Sequence, residues 1–356
     1  MRDFSKQFNQ AFADEYLKNI LNSNKKILMD PLTKLRSMTS GIGIYQHGKM
    51  DKPDSGFGYA IEDQARALMV ADEFKDKNLK DVYLNFILNS QREDGLLYHF
   101  FYEDNGKGLF KSEEHNSKSN IKEAYGITLW SLLSIKISKD SFIKKIIGNL
   151  IKDASNWTSP RAISTALLGL LSLGYQHDLE NELKTKLHNY YFETCSDDWA
   201  WFENYLVYAN AIMPWALWET YLRRKCKTSF AIAKETTRFL IKNCQENNVP
   251  SPIGNKGWYY KGGNKALFDQ QPIDPAYMVC CLEKAYRVTE EKFYLDWAGK
   301  WYRWFFGNNI NNISLIDENF ACYDALNPEG VNLNQGGESN ICFLMAFLAA
   351  RRLGII

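Results

Sequence analysis

Two kinds of apolar segment alternate along this chain. Six of them are apolar on every side: GYAIEDQARALMVA (58–71), IKEAYGITLWSLL (121–133), SPRAISTALLGLLSLG (159–174), WFENYLVYANAIMPWALW (201–218), DQQPIDPAYMVCCLEKAY (269–286) and NQGGESNICFLMAFLAA (334–350). Each is entered from a polar, aromatic loop marked by Gly or Pro and carries an acidic or amide side chain near its first turn. The stretches before them, roughly 4–22, 78–90, 141–154, 179–193, 229–244 and 291–306, show a single apolar stripe with polar residues on the other face. A helix that is apolar all round is covered on all sides, whereas a striped one lies at the surface. The alternation therefore predicts an all-α fold, an (α/α)6 toroid whose inner helices surround a pocket. Small residues recur in the inner set (Ala65, Ala67, Ala71; Ala162, Ala166, Gly169; Ala346, Ala349, Ala350), as close helix approach requires.

At 356 residues, with no linker, low-complexity tract or charge block, the chain is expected to form one domain over 1–356. A formal charge of +1 argues against a nucleic-acid surface, which needs clustered basic excess. Seven Cys without paired short spacings, several inside apolar segments, are expected to be reduced core residues. With no apolar run of signal-peptide length at the start, they point to a cytoplasmic protein. The most apolar stretch, ICFLMAFLAA, stops at Arg351-Arg352 after about half a membrane span, so no membrane contact is expected.

The aromatic content, 14 % of the chain, changes the picture because so much of it lies in connections: Tyr98, Phe100, Phe101 and Tyr102, then Trp258, Tyr259 and Tyr260. Rings beside Asp, Glu, Gln and Asn suit a sugar, whose C–H faces stack while its hydroxyls take directional hydrogen bonds. Glycoside hydrolysis needs one carboxylic acid to protonate the leaving oxygen and a second carboxylate to activate water or attack the anomeric carbon. If the inner helices run parallel, the acids at their amino-terminal ends converge at one mouth. Asp63 leads the candidates, with Arg66 one turn later to orient it, although a helix-start acid paired with Arg66 is the plainer role. Glu203, read as part of the fourth inner helix and flanked by Trp199, Trp201 and Tyr205, suits a general acid. Asp269 before the fifth inner helix is a candidate base, Asp274 before Pro275 reads first as a helix cap, and Glu338 starts the last inner helix. Tyr59, Glu62, His47, Glu123, Arg161, Tyr208, Asn210, Trp258, Tyr259, Gln270, Gln271, Asn334 and Gln335 are the candidate substrate-binding groups. No metal is expected, because none of the five His heads an inner segment or stands at ligand spacing from Cys, and no cofactor is implied. Sugar-epimerase chemistry on such a fold would use His as acid and base, but His47, His99 and His115 all lie in loops, which weighs against that reading.

LTKLRSMTSGIGIYQHGKMDKPDSGFGYAIEDQARAL (32–68) resembles a bacterial family whose pattern runs roughly L-x-R-L-T-D-D-x-G-I-x-Q-H, then P-D-x-x-x-G-Y-x-x-D-D-N-A-R-A-L. EDGLLYHFFYEDN, SPRAISTALLGL, FENYLVYANAIMPWAL, SPIGNKGWYYKGGNKALFDQQPID and LNPEGVNLNQGGES extend the resemblance over nearly the whole chain. That family is similar to the six-hairpin glycosidases, is often encoded beside or fused to glycosyltransferases, and frequently carries their label. The resemblance implies carbohydrate chemistry on an oligosaccharide or glycoconjugate and a functional link to a glycosyltransferase. The transferase label itself has no support, since no G-x-G-x-x-G follows a strand. Glu62-Asp63 stands where the family has Asp-Asp, Gln64 replaces Asn, Glu123 replaces Asp, and Ala209 replaces an Asp found in many relatives. The expected activity is thus an inverting glycoside hydrolase using Asp63 with Glu203, Asp269 or Glu338, with mannosides and glucosides as first substrates. The alternatives are a phosphorylase holding phosphate near Arg161 or Lys261-Gly262-Gly263, and a noncatalytic carbohydrate-binding module, which Ala209 makes credible and which tight glycan binding without turnover would favour.

Overall fold

The computed structural model describes residues 30–104, 107–112, 121–135 and 141–356. A short helix, α1 (Thr33–Ser37), precedes inner helix α2 (Ile61–Phe74) and outer helix α3 (Lys77–Asn89). Inner and outer helices then alternate: α4 (Ile121–Ser134) and α5 (Ser141–Ala154), α6 (Pro160–Leu171) and α7 (Asp178–Thr194), α8 (Ile212–Arg224) and α9 (Lys227–Asn243), α10 (Ile273–Thr289) and α11 (Lys292–Trp304). Inner helix α12 (Gly337–Arg352) ends the series. Each inner helix packs on the next, and α12 packs back on α2, which closes the ring. Each of these outer helices packs on the inner helix before it. The outer candidate at 4–22 lies outside the described residues.

Burial follows the two sequence patterns. Every residue of α6 is buried, whereas α5 buries Ile143, Ile146, Leu150 and Ala154, one stripe at helical spacing. Close approach of α4 and α6 depends on two glycines. A Cβ on Gly126 would stand 2.7 Å from the Ala162 carbonyl oxygen, and one on Gly169 would stand 2.8 Å from Trp130 Cα, so neither place admits a side chain without moving backbone. At the carboxyl ends of the inner helices, arginines meet buried acids: Arg224 on Glu180 at 2.8 Å and Arg352 on Glu283 at 2.8 Å. This placement also complements the negative ends of the helix dipoles. Cys244, Cys280, Cys281, Cys322 and Cys342 are buried free thiols inside the core.

One expected element changes. The segment 201–211, read as the start of the fourth inner helix, is loop with a two-residue strand, Tyr205–Leu206, paired antiparallel with Tyr259–Tyr260. Asn210 breaks the helix: its side chain accepts from Val207 N (3.1 Å) and donates to Val207 O (2.7 Å), and Ala209 stands at φ +50°. Such side-chain bonds offer the backbone an alternative to the helical ladder. Glu203 therefore lies nine residues ahead of α8 rather than on it. The aromatic stretch after α3 also differs, since Tyr59–Ala60, Phe100–Asp104 and Lys107–Lys111 make a three-stranded antiparallel sheet.

Candidate functional site

All six inner helices deliver a first-turn residue to one cleft: Glu62 from α2, Glu123 from α4, Arg161 from α6, Ile212 from α8, Ile273 from α10 and Glu338 from α12. Residues four further on share a helix face with these, and four of them line the next layer down: Arg66, Ile127, Thr165 and Tyr277. His99, Ala124, Tyr208, Ala209 and Gln271 complete a cleft with about 200 Å³ of room. Six helix amino termini converge here, so their dipoles favour the three glutamates at the mouth, which in turn offset the charges of the two arginines among them.

Two ion-pair systems organise the walls. Arg66, buried in α2, lies 3.0 Å from Asp63 Oδ1 and 3.0 Å from Glu338 Oε2 through the same Nη1, and its Nε donates to Tyr277 Oη at 3.3 Å. Glu338 keeps 42 % of its side chain exposed, whereas Asp63 keeps 4 %. Burial pushes the Asp63 carboxyl well above the usual carboxylate range, with Arg66 pulling against it. On the opposite wall Arg161 holds Glu203 at 2.9 Å, donates to Tyr208 O at 2.8 Å, and lies 4.9 Å from the Tyr208 ring centroid. Glu123 accepts from Tyr208 Oη (2.8 Å) and from Ser159 Oγ (2.7 Å). The same Ser159 hydroxyl accepts from Ala162 N to cap α6, so one residue starts a helix and aims a carboxylate.

His99 enters through the sheet. Ile61 N donates to His99 O at 2.9 Å, which sets the imidazole beside the first turn of α2, where Nε2 meets Glu62 Oε2 at 2.9 Å. Burial opposes charge on Glu62, but His99 and Arg66 outweigh it and hold its carboxyl below the usual range.

No family model matches the sequence, and no curated protein does. Among solved structures, a D-mannose isomerase matches over 99 % of each chain at 12 % identity with a TM-score of 0.65. A cellobiose 2-epimerase from Bacillus thermoamylovorans matches over 95 % of this chain and 99 % of its own, at 10 % identity and a TM-score of 0.67. A cellulase of C. cellulolyticum in complex with cellobiose matches over 87 % of each chain at 8 % identity and a TM-score of 0.56. The chain has the (α/α)6 fold of the six-hairpin glycosidases.

On this toroid, Glu62, Arg66, Glu123, Arg161, Tyr208, Gln271 and Glu338 come together at the mouth. Asp63 lies behind Arg66 and Glu203 behind Arg161, both buried. Asp269 stands apart from the cleft, 3.3 Å from Lys256. Tyr59 is buried with its hydroxyl 2.9 Å from Ser40 Oγ, Asn210 staples its own loop, and Gln270 is fully buried between Ser251 and Trp304. Asn334 and Gln335 secure loops, through Met50 N and Asp317. His47 packs edge-on against Phe57 and Tyr259 against Trp199, whereas Trp258 lies tilted against Tyr208. His115 is outside the described residues. Ile127, Thr165 and Tyr277 had no place among the sequence candidates; counting four residues on from each first-turn group finds them. Among the described residues no cluster of three or more His, Cys, Asp or Glu is placed to hold a metal, and no helix is long and apolar enough to cross a membrane.

Asp274 sits in the first turn of α10 and accepts from Asn210 N at 3.4 Å. Burial drives its carboxyl up to about 7, against the opposing pull of the Asn210 amide and Arg161. Between pH 4 and 7 the folded chain therefore holds a proton that the unfolded chain has released. The stabilisation is complete below about pH 4 and disappears as the pH rises through 7, on the order of 4 kcal/mol across the window. Asp274→Asn is expected to flatten that part of the profile, as read by urea unfolding at pH 4.5, 5.5, 6.5 and 7.5. An unchanged slope in the variant would assign it to other groups.

Proposed function

We propose that the protein is a carbohydrate-active enzyme that hydrolyses a glycosidic bond held at the mouth of the toroid. The observation that carries this reading is the arrival of Glu62 and Glu338, from the first and last inner helices, in one cleft on either side of the sequence that supplies Arg66. Glu62, held ionised by its neighbours, is the base that activates water. Glu338, which faces the cleft with 42 % of its side chain exposed, is assigned the role of proton donor to the leaving oxygen. Arg161, Tyr208, Glu123 and Gln271 supply donors and acceptors for hydroxyls, while Ile127, Ile212 and Ile273 provide apolar surface for the sugar's C–H face. Asp63 takes a supporting role. The oxygens of Asp63 and Glu338 that meet Arg66 are each 3.0 Å from one nitrogen, so they lie within twice that distance of each other. An inverting pair keeps about 6.5–9.5 Å open for water. Asp63 with Glu338 is therefore too close for inversion, and the inverting role is proposed for Glu62 with Glu338 instead.

A second reading rests on the Glu62–His99 pair. A buried imidazole with a carboxylate partner, in the wall of a sugar-sized cleft, suits proton transfer at a sugar carbon, the chemistry of an isomerase or epimerase. The structural neighbours include an isomerase and an epimerase as well as a cellulase.

Chromatographic product analysis tests both. The protein is incubated with manno-, gluco- and galacto-oligosaccharides and with the free sugars, with and without phosphate, and free sugars are also followed by NMR in deuterated water. Release of free sugar without phosphate is the expected result, and the first-formed anomer reads the stereochemistry. Phosphate-dependent sugar 1-phosphate would make it a phosphorylase, and deuterium entry at C2 without cleavage would replace hydrolysis by the second reading. Glycan binding without turnover would leave the protein a noncatalytic partner of another enzyme.

A further inference from the structure

Beside the cleft residue Tyr208 lie three aromatic residues, Trp258, Tyr205 and Tyr260, that the chemistry above does not use. Tyr208 lines the cleft, and its ring lies 6.1 Å from that of Trp258. Trp258 is held at φ +57°, a conformation that costs a bulky residue energy and is kept only where its surroundings enforce it. The next residues, Tyr259–Tyr260, pair with Tyr205–Leu206, and this pairing puts the Tyr205 and Tyr260 rings 6.1 Å apart. Both are exposed, at 36 % and 55 %, although exposed tyrosines far from a binding surface are ordinarily isolated. Tyr205 also lies close to Glu203, the partner of the cleft residue Arg161. Two ring pairs thus flank one wall of the cleft: Tyr208 with Trp258, and Tyr205 with Tyr260, the latter tied to the cleft through Glu203 and Arg161.

We propose that Trp258, Tyr205 and Tyr260 form further sugar subsites, so that the protein takes an oligosaccharide of three or more units with one end in the cleft and the chain laid across this platform. This rests on the carbohydrate reading of the cleft but not on hydrolysis. Pyranose C–H faces stack on aromatic rings, and tyrosine offers a hydroxyl at the edge of the same surface. The platform adjoins the wall made by Arg161, Glu203 and Tyr208, which fixes the direction in which the chain leaves.

The test is binding, so that it does not depend on turnover. Affinities for manno-, gluco- and galacto-oligosaccharides of one to five units are measured by saturation-transfer NMR and calorimetry. Wild type is expected to bind one of these series more tightly with each unit up to at least three. Tyr260→Ala and Trp258→Ala should each weaken binding of the longer members by up to about tenfold and remove the dependence on length. Tyr205→Phe, which keeps the ring, should preserve most of it. Tyr175→Ala, at a still more exposed tyrosine after the carboxyl end of α6 and so on the other side of the ring, should bind as wild type. Affinity that does not change with chain length, a length dependence that survives in Tyr260→Ala and Trp258→Ala, or no binding of any glycan would overturn the proposal. Length-dependent binding without cleavage would uphold it while removing the hydrolase reading.

Discussion

Glu338→Gln is expected to lower kcat by about 10²–10⁴-fold if the protein is the proposed hydrolase, the contribution typical of a positioned proton donor. The side chain starts α12, faces the cleft, and has Arg66 as its ion-pair partner. Gln keeps the shape and the capacity to accept from that guanidinium, but it has no proton to give. Arg66 retains Asp63, and Glu338 is well exposed, so the urea midpoint should stay close to the wild type's. The loss is thus expected in kcat, with KM changed little. A variant within a few-fold of wild-type kcat would take the acid role away from Glu338, and a variant that unfolds early would mark the residue as structural.

Arg66→Met has the largest expected effect on stability, a loss of about 3–5 kcal/mol at neutral pH, the range for removing one partner of a buried pair. The guanidinium is buried, and what it leaves behind is Asp63 with 4 % of its side chain exposed and Tyr277 without its donor. Burial already raises the Asp63 carboxyl, and losing Arg66 raises it further. A raised carboxyl favours the folded state while it is protonated and costs stability as the pH climbs through its folded value. The variant should therefore be nearest to wild type in acid and weakest at alkaline pH. Urea unfolding across that range checks this, together with the double variant Arg66→Met, Asp63→Leu, which removes both charges and should recover most of the loss. Equal destabilisation of the single variant at every pH would show that Asp63 is not the group left stranded.

The ring could be read from the chain because inner and outer helices bury different fractions of their circumference, and that difference is written in every turn. The helix α5 coincides with its striped segment to the residue. The beginning of α8 was misplaced because Trp201, Phe202, Leu206 and Ala209 are as buried as helix residues, yet they pack from a loop. Pro214 carried the missing signal, since proline is tolerated in the first turn and marks a start near Ile212. The sheet was equally legible in principle: Asn105-Gly106 between the aromatic run 98–102 and the segment holding Leu109 and Phe110 is a hairpin sequence. Of the site, the first-turn acids could be listed, but which of them face the axis depends on helix rotation by fractions of a turn. That rotation brings Glu62 to the cleft and turns its neighbour Asp63 beneath it. The Glu62–His99 contact was beyond reach, because it is set by strand pairing across a separation of 37 residues.

Arg66 and Glu338 join helices that stand at opposite ends of the ring's sequence. A molecule seated in the cleft against both residues touches both sides of the seam where the circle closes, and it can do so only when the circle is complete. Occupancy and closure are then thermodynamically linked, and any sugar that fits acts as a clasp. At a concentration one hundred times its Kd it adds about 2.7 kcal/mol to the stability of the whole ring. Heat resistance can therefore report a bound sugar before its chemistry is known.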